Sequence, residues 1–281
     1  MKRKAKSAEF IHSPLNTPML DYRVYHMSRM EKLQATVISF LGGGAVGLVF
    51  YGGQFLDEEG MATSATMIGN IAIFLLIGFI ASCIFVPIRE KQLKDKRTRE
   101  LTNQFREFLS SLTTSLSSGM NMQEAITSAH RDLVVQFSEK SYIVEETAEI
   151  LKGLKNGLVL EDMLKFFGER SGVEDISNFS TVFALCFRKG GNLKDIVRRT
   201  HDIISEKVGI AEEIETSIAS NKMQFNCMMV IPILIVIMLR TMSSSFAASF
   251  STPVGVIGMT VAIIIFVVAY KIGQDIMDVK G

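Results

Sequence analysis

Apolar positions fall into two regimes along this chain. In four places they form long runs without a formal charge. Between Lys32 and Asp57 lie 24 uncharged residues, between Glu59 and Arg89 lie 29, between Lys222 and Arg240 lie 17, and between Arg240 and Lys271 lie 30. A helix needs about 20 mostly apolar residues to cross a bilayer core of about 30 Å. Spans are therefore expected near 33–53, 67–88, 224–241 and 254–271. The third is the shortest and holds Pro232, tolerated where neighbours satisfy the freed carbonyl. Gly43 and Gly47 in the first span form a G-xxx-G pair, which suits close helix packing as well as the ordinary glycine content of membrane helices.

Between the second and third runs the regime changes. Arg89 to Gln224 is a charge-dense block of 136 residues with apolar positions at helical spacing. Phe105, Phe108, Leu109, Leu112 and Leu116 mark a first helix. Ala125, Ile126, Ala129 and Leu133 mark a second. A third is expected near Ser141–Leu154, a short fourth from about Leu160 to Gly168, and a fifth near Glu174–Lys189. A sixth begins after Asn192 and leads into the third span. No alternating strand pattern is evident. The expected fold class is all-α: a polytopic membrane protein with four transmembrane helices and a six-helix bundle over 89–223, inserted between the second and third spans. Residues 1–32 read as a flexible polar tail passing into an interfacial segment. The connections 54–66 and 242–253 read as outer loops, and 272–281 as a second tail.

Charge orients this plan. Of the 30 Lys and Arg, 29 lie in the N-terminal tail, the middle block or the C-terminal tail, and the remaining one is Arg240. The loop after the first span holds Asp57, Glu58 and Glu59 and no base. Positive charge favours the cytoplasmic side, so both termini and the block are expected there, in a cytoplasmic membrane. The whole chain carries only +1, and no basic cluster is interleaved with aromatics, so a nucleic-acid partner is not indicated. Arg89 to Arg99 reads as a flank that touches anionic headgroups.

Catalytic signatures are missing. No G-x-x-x-x-G-K-[ST] loop, H-E-x-x-H, C-x-x-C or G-x-S-x-G occurs. Cys83, Cys186 and Cys227 share no metal-like spacing and read as reduced packing residues. No metal or cofactor is expected. The acidic pairs Glu145-Glu146, Glu161-Asp162, Glu174-Asp175 and Glu212-Glu213 read as solvated surface, since adjacent acids do not share a helix face. His201 stands in a segment faintly like a phosphoacceptor helix, but no nucleotide-binding pattern follows it.

Three junctions in the block are alike. Gly119-Met120-Asn121-Met122-Gln123-Glu124, Gly190-Gly191-Asn192-Leu193-Lys194-Asp195 and, more loosely, Gly157-Leu158-Val159-Leu160-Glu161-Asp162 each set a glycine before a cap, an apolar residue and an acid. A left-handed glycine ends one helix, and the next is capped at once. Leu112-x-x-x-Leu116-x-x-Gly119-x-x-Met122 near the start and Lys189-Gly190-Gly191-Asn192-Leu193-x-x-Ile196 near the end, within this span order, resemble the F-type inner-membrane platform proteins of type II secretion and type IV pilus machines. The resemblance covers about residues 30–275. One domain between two pairs of spans is most similar to the tight-adherence pilus branch, whereas the other branch carries two domains and three spans. It implies a non-enzymatic assembly platform that engages a hexameric secretion ATPase, pilin subunits, and a second platform protein or its own copies. On that reading Arg188, Lys189, Lys194, Arg198 and Arg199 form a candidate ATPase-docking face, with a plain solvated helix face as the competing reading. A membrane signalling receptor and a transporter subunit are the alternatives. The small first outer loop weighs against the former, and the lack of ionisable residues deep in the spans weighs against the latter.

Overall fold

The structure is a computed structural model that describes residues 9–53, 63–242, 249 and 252–277. The expected outer loops lie mostly outside these residues, as do the last residues of the C-terminal tail. Two short strands, β1 (Phe10–His12) and β2 (Pro18–Leu20), are followed by eight helices among the described residues. These are α1 (Arg29–Tyr51), α2 (Ser64–Ser117), α3 (Met122–Gln136), α4 (Tyr142–Lys155), α5 (Leu160–Ser171), α6 (Glu174–Lys189), α7 (Leu193–Met242) and α8 (Pro253–Met277). The described residues are all-α apart from the hairpin, and α1, α2, α7 and α8 are each long and apolar enough to cross a membrane.

Two units separate by their internal contacts. The first, the helical unit, takes residues up to His26 together with Glu90–Ile210. Its core is the periodic stripe read from the sequence. Leu101, Phe105, Phe108, Leu109 and Leu112 of α2 are buried, with Ile126 and Leu133 of α3, Ile143 and Ile150 of α4, Met163 and Phe167 of α5, Phe179 and Phe183 of α6, and Val197 and Ile204 of α7. Phe105 is a hub: its ring centroid lies 6.0 Å from Phe108, 6.0 Å from Phe167 and 5.5 Å from Phe179. Such tilted and edge-on aromatic pairs contribute about 0.5–1.5 kcal/mol each beyond area burial. The start of α4 is tied to α2 by a polar contact. The Ser141 hydroxyl makes no cap bond, and the Ile143 N–H donates instead to Gln104 Oε1 at 3.0 Å. One of the orphan donors of a helix start is thereby satisfied from 39 residues away.

The second unit takes 27–89 and 211–281, as far as they are described. Here α1 lies against α2 through small residues. A Cβ on Gly43 would collide with Ala81, and one on Gly47 would lie 2.8 Å from Ile77 Cδ1. Phe40 meets Phe74 edge-on at 5.6 Å, and Ser39 Oγ shares a hydrogen bond of 3.0 Å with Ser82 Oγ. Asn70 Oδ1 accepts from the Gly53 N–H at 2.9 Å. Tyr51 on α1 reaches Thr260 on α8 at 3.0 Å, and Phe225 on α7 stacks on Tyr270 of α8. Large apolar side chains face outward throughout this unit, among them Ile38, Leu41, Ile68, Phe79, Leu234 and Ile264. An apolar surface on this scale is stable against lipid, not water.

The structure differs from the sequence reading at four places. The tail is not flexible over its described part: residues 9–26 form a hairpin and a docked extension, so the chain does hold strand, with Phe10 opposite Leu20. The interfacial segment expected before the first span becomes helix only from Arg29, where the Ser28 N–H donates to Glu31 Oε2 at 2.8 Å. The second span and the block's first helix are one element, α2, 54 residues long and containing Pro87. The change from apolar to basic at Arg89 alters what the helix faces without breaking its hydrogen bonding. Finally, two of the acidic pairs are not wholly solvated: Glu146 and Glu161 are buried, while their neighbours Glu145 and Asp162 are exposed.

Candidate functional site: a basic helix junction and a buried ionic node

The basic residues singled out in the sequence gather at one helix junction of the helical unit. Arg188 and Lys189 occupy the last turn of α6, where cations are favoured by the helix dipole. Gly190 then takes φ +69, a left-handed conformation that a side chain would strain. Asn192 caps α7: its Oδ1 accepts from the Asp195 N–H at 3.4 Å, and its Nδ2 donates to Asp195 Oδ2 at 2.7 Å. Lys194, Arg198 and Arg199 follow within the first two turns. All five cations are exposed, and none makes an ion pair or side-chain hydrogen bond among the described residues. At the other end of α6, Lys207 Nζ of α7 lies 2.6 Å from Asp175 Oδ1. The junction is an exposed, cationic turn between α6 and α7.

The Gly157 junction sets Lys152 and Lys155 against Glu161 and Asp162, so it lacks a net cationic face. Gly119 sits at φ +88 and Gly157 at φ +79. Asn121 Oδ1 accepts from the Glu124 N–H at 3.0 Å, and Glu124 Oε2 accepts from the Asn121 N–H at 3.1 Å, a complete capping box. Val159 heads α5 without a side-chain cap. Along the first turns of α3 runs an open groove lined by Met120, Asn121, Gln123, Glu124, Thr127, Ser128 and Arg131. Its one carboxylate is occupied by the cap, which leaves no acid–base pair there. No group of three or more metal-ligating side chains occurs among the described residues. Cys83, Cys186 and Cys227 are free thiols. Among the described residues the polar partners of His201 are Asp202 and Ser205 of its own helix, as for a helix-surface imidazole.

The densest chemistry of the helical unit is one the sequence reading missed. Glu146 on α4 and Arg170 on α5 are both 2% exposed and form a two-point ion pair, Nη2 to Oε2 at 2.6 Å and Nη1 to Oε1 at 3.1 Å. The Tyr22 hydroxyl donates to the same carboxylate at 2.9 Å. Arg170 Nη1 also donates to the Leu20 carbonyl at 2.6 Å, and the Tyr22 N–H donates to the Arg170 carbonyl at 3.0 Å. Phe166 lies beneath the guanidinium at 4.2 Å. Burial pushes the Glu146 carboxyl above its ordinary range, with Arg170 and Tyr22 opposing that push. Burial and the adjoining carboxylate hold the Tyr22 phenol protonated far above its usual range. One signal did exist in the sequence: Glu146 stands three residues after Ile143 and four before Ile150, on the core stripe of its helix.

Against known proteins, residues 108–241 match the family model described as type II secretion system (T2SS), protein F. No curated protein and no solved structure matches the chain.

Proposed function

We propose, from the premise that residues 108–241 are a domain of the type II secretion system F family, that this chain is an inner-membrane platform protein of a secretion or type IV pilus machine. One observation carries the reading: the family domain lies within a chain whose helices α1, α2, α7 and α8 are each built to cross a bilayer. The protein works by contact rather than catalysis. The helical unit and both termini lie in the cytoplasm, as the distribution of 29 of the 30 Lys and Arg favours. The partner on that side is a hexameric secretion ATPase, and on the membrane side the spans meet hydrophobic pilin subunits. A second platform protein or further copies complete the assembly. The order of two spans, one helical block and two further spans supports the tight-adherence branch.

The docking face is the cationic turn of Arg188, Lys189, Lys194, Arg198 and Arg199. Free, exposed cations on one junction favour an acidic partner surface, steering its approach and setting register. From there α7 runs unbroken from Leu193 to Met242, including the third apolar stretch. The test is affinity capture of the motor ATPase by the full-length protein in detergent, with all five cations reversed to Glu in the comparison. Capture should fall at least tenfold and become insensitive to salt. Undiminished capture removes this face from the mechanism.

A further inference from the structure

The segment 9–26 is built unlike the helices it lies on. β1 and β2 have three residues each, and a two-stranded hairpin of that size does not hold its shape alone in water. Its order comes from docking. A single large side chain, Tyr22, is fully sunk, at 1% exposed, with Tyr142 edge-on at 5.5 Å, whereas Phe10 stands outward. The remaining hold is polar. Ser13 Oγ donates to Glu149 Oε1 at 2.6 Å, and the Thr17 hydroxyl donates to the same oxygen. Arg170 holds the Leu20 carbonyl and receives the Tyr22 N–H. Arg97 reaches Glu9 at 3.1 Å and lies 4.3 Å above the Tyr25 ring. Two carboxylates and two guanidiniums of the helical unit thus grip the segment.

These groups do not depend on it in return. With the segment gone, Glu146 and Arg170 still hold each other at two points, so that pair is not broken, which is the costly outcome, while Glu149 exchanges the Ser13 and Thr17 hydroxyls for water. Of the segment, Tyr22 alone joins the buried apolar core, with Leu20 packed against it. Covalently, α1 starts at Arg29, so docking leaves only Met27 and Ser28 between the segment and the first apolar helix.

We propose that residues 9–26 are a releasable strap, which docks and undocks on the helical unit as one cooperative segment anchored by Tyr22 and, when docked, shortens the tether before the first span to two residues. Few apolar contacts and many polar ones place its opening below global unfolding. The proposal does not rest on the identity of any partner.

Hydrogen exchange read by mass spectrometry on the full-length protein in detergent or nanodiscs tests it. Wild-type amides over 10–13 and 18–24 should share one rate, at least about 100-fold slower than unstructured peptide and at least about tenfold faster than the slowest amides of α4 and α5. Tyr22→Phe keeps the ring and loses the bond to Glu146, so strap exchange should quicken about tenfold with α4 and α5 unchanged. Tyr22→Ala should bring the whole strap, hairpin included, close to the unstructured rate. Strap amides that exchange as slowly as α4 and α5 would mean that the segment opens only with the fold, which overturns the proposal. So would an unprotected strap in the wild type, or a Tyr22→Phe variant in which α4 and α5 loosen as much as the strap.

Discussion

Arg170 Nη2 lies 2.6 Å from Glu146 Oε2, and neither side chain reaches solvent to any useful extent. A buried pair of this kind contributes little net stability, because desolvating both charges offsets their attraction, yet removing one partner strands the other. Glu146→Leu and Arg170→Met should each destabilise the protein by about 3–5 kcal/mol. The double change Glu146→Leu with Arg170→Met should cost less than either. A double-mutant cycle on thermal unfolding checks this, and costs that simply add would contradict it.

His130 supplies a pH dependence with a definite sign. Its Nδ1 lies 2.8 Å from Thr147 Oγ1, and burial holds the imidazole below its ordinary pKa. The unfolded chain takes up this proton at about pH 6.5, before the folded one does. In that window the unfolded state binds more protons, so stability falls as pH drops through about 6.5 and continues to fall until the folded imidazole also protonates. Replacing His130 with Asn should shrink the loss of melting temperature between about pH 7.5 and pH 5.5. An unchanged loss would show that the group does not titrate on folding.

Asn121 and Glu124 close the start of α3 on each other. Asn121→Ala removes the cap and should cost about 1 kcal/mol, lowering the melting temperature by about 2–4 °C. Asn121→Gly should recover most of it.

In the apolar unit, Gly43 and Gly42 make a matched pair for comparison. A side chain at Gly43 meets Ala81 and the Ile77 carbonyl, whereas nothing lies within 4 Å of a Cβ at Gly42. Gly43→Leu should destabilise the protein by about 1–3 kcal/mol through overpacking. Gly42→Leu should be near neutral. Equal effects would mean that α1 does not rest on α2 at this point.

The periodic stripes of α3 to α6 and the four apolar runs could be read directly, because each is a local pattern whose period states the element. What escaped was non-local or fell between patterns. Tyr22 finds Glu146 across 124 positions, and three-residue strands are too short to alternate visibly. The adjacent-acid argument was right that Glu145 and Glu146 diverge, but divergence turned one of them inward. The composition break at Arg89 does mark the division between the two units, although the helix itself runs on through it. The cationic turn was legible residue by residue, since exposed Lys and Arg around a Gly-to-cap junction need no distant partner to fix their place.

The central claim is that this chain is the membrane platform against which a secretion motor works. The most direct measurement deletes its gene and scores surface pili, or secreted pilin-like subunits, alongside crosslinking of the restored protein to the motor ATPase in intact membranes. Surface structures should be lost while the pilin subunits still accumulate in the membrane, and the restored protein should crosslink to the ATPase through its helical unit. Normal surface assembly in the deletion strain, with no crosslink to the ATPase, would contradict it.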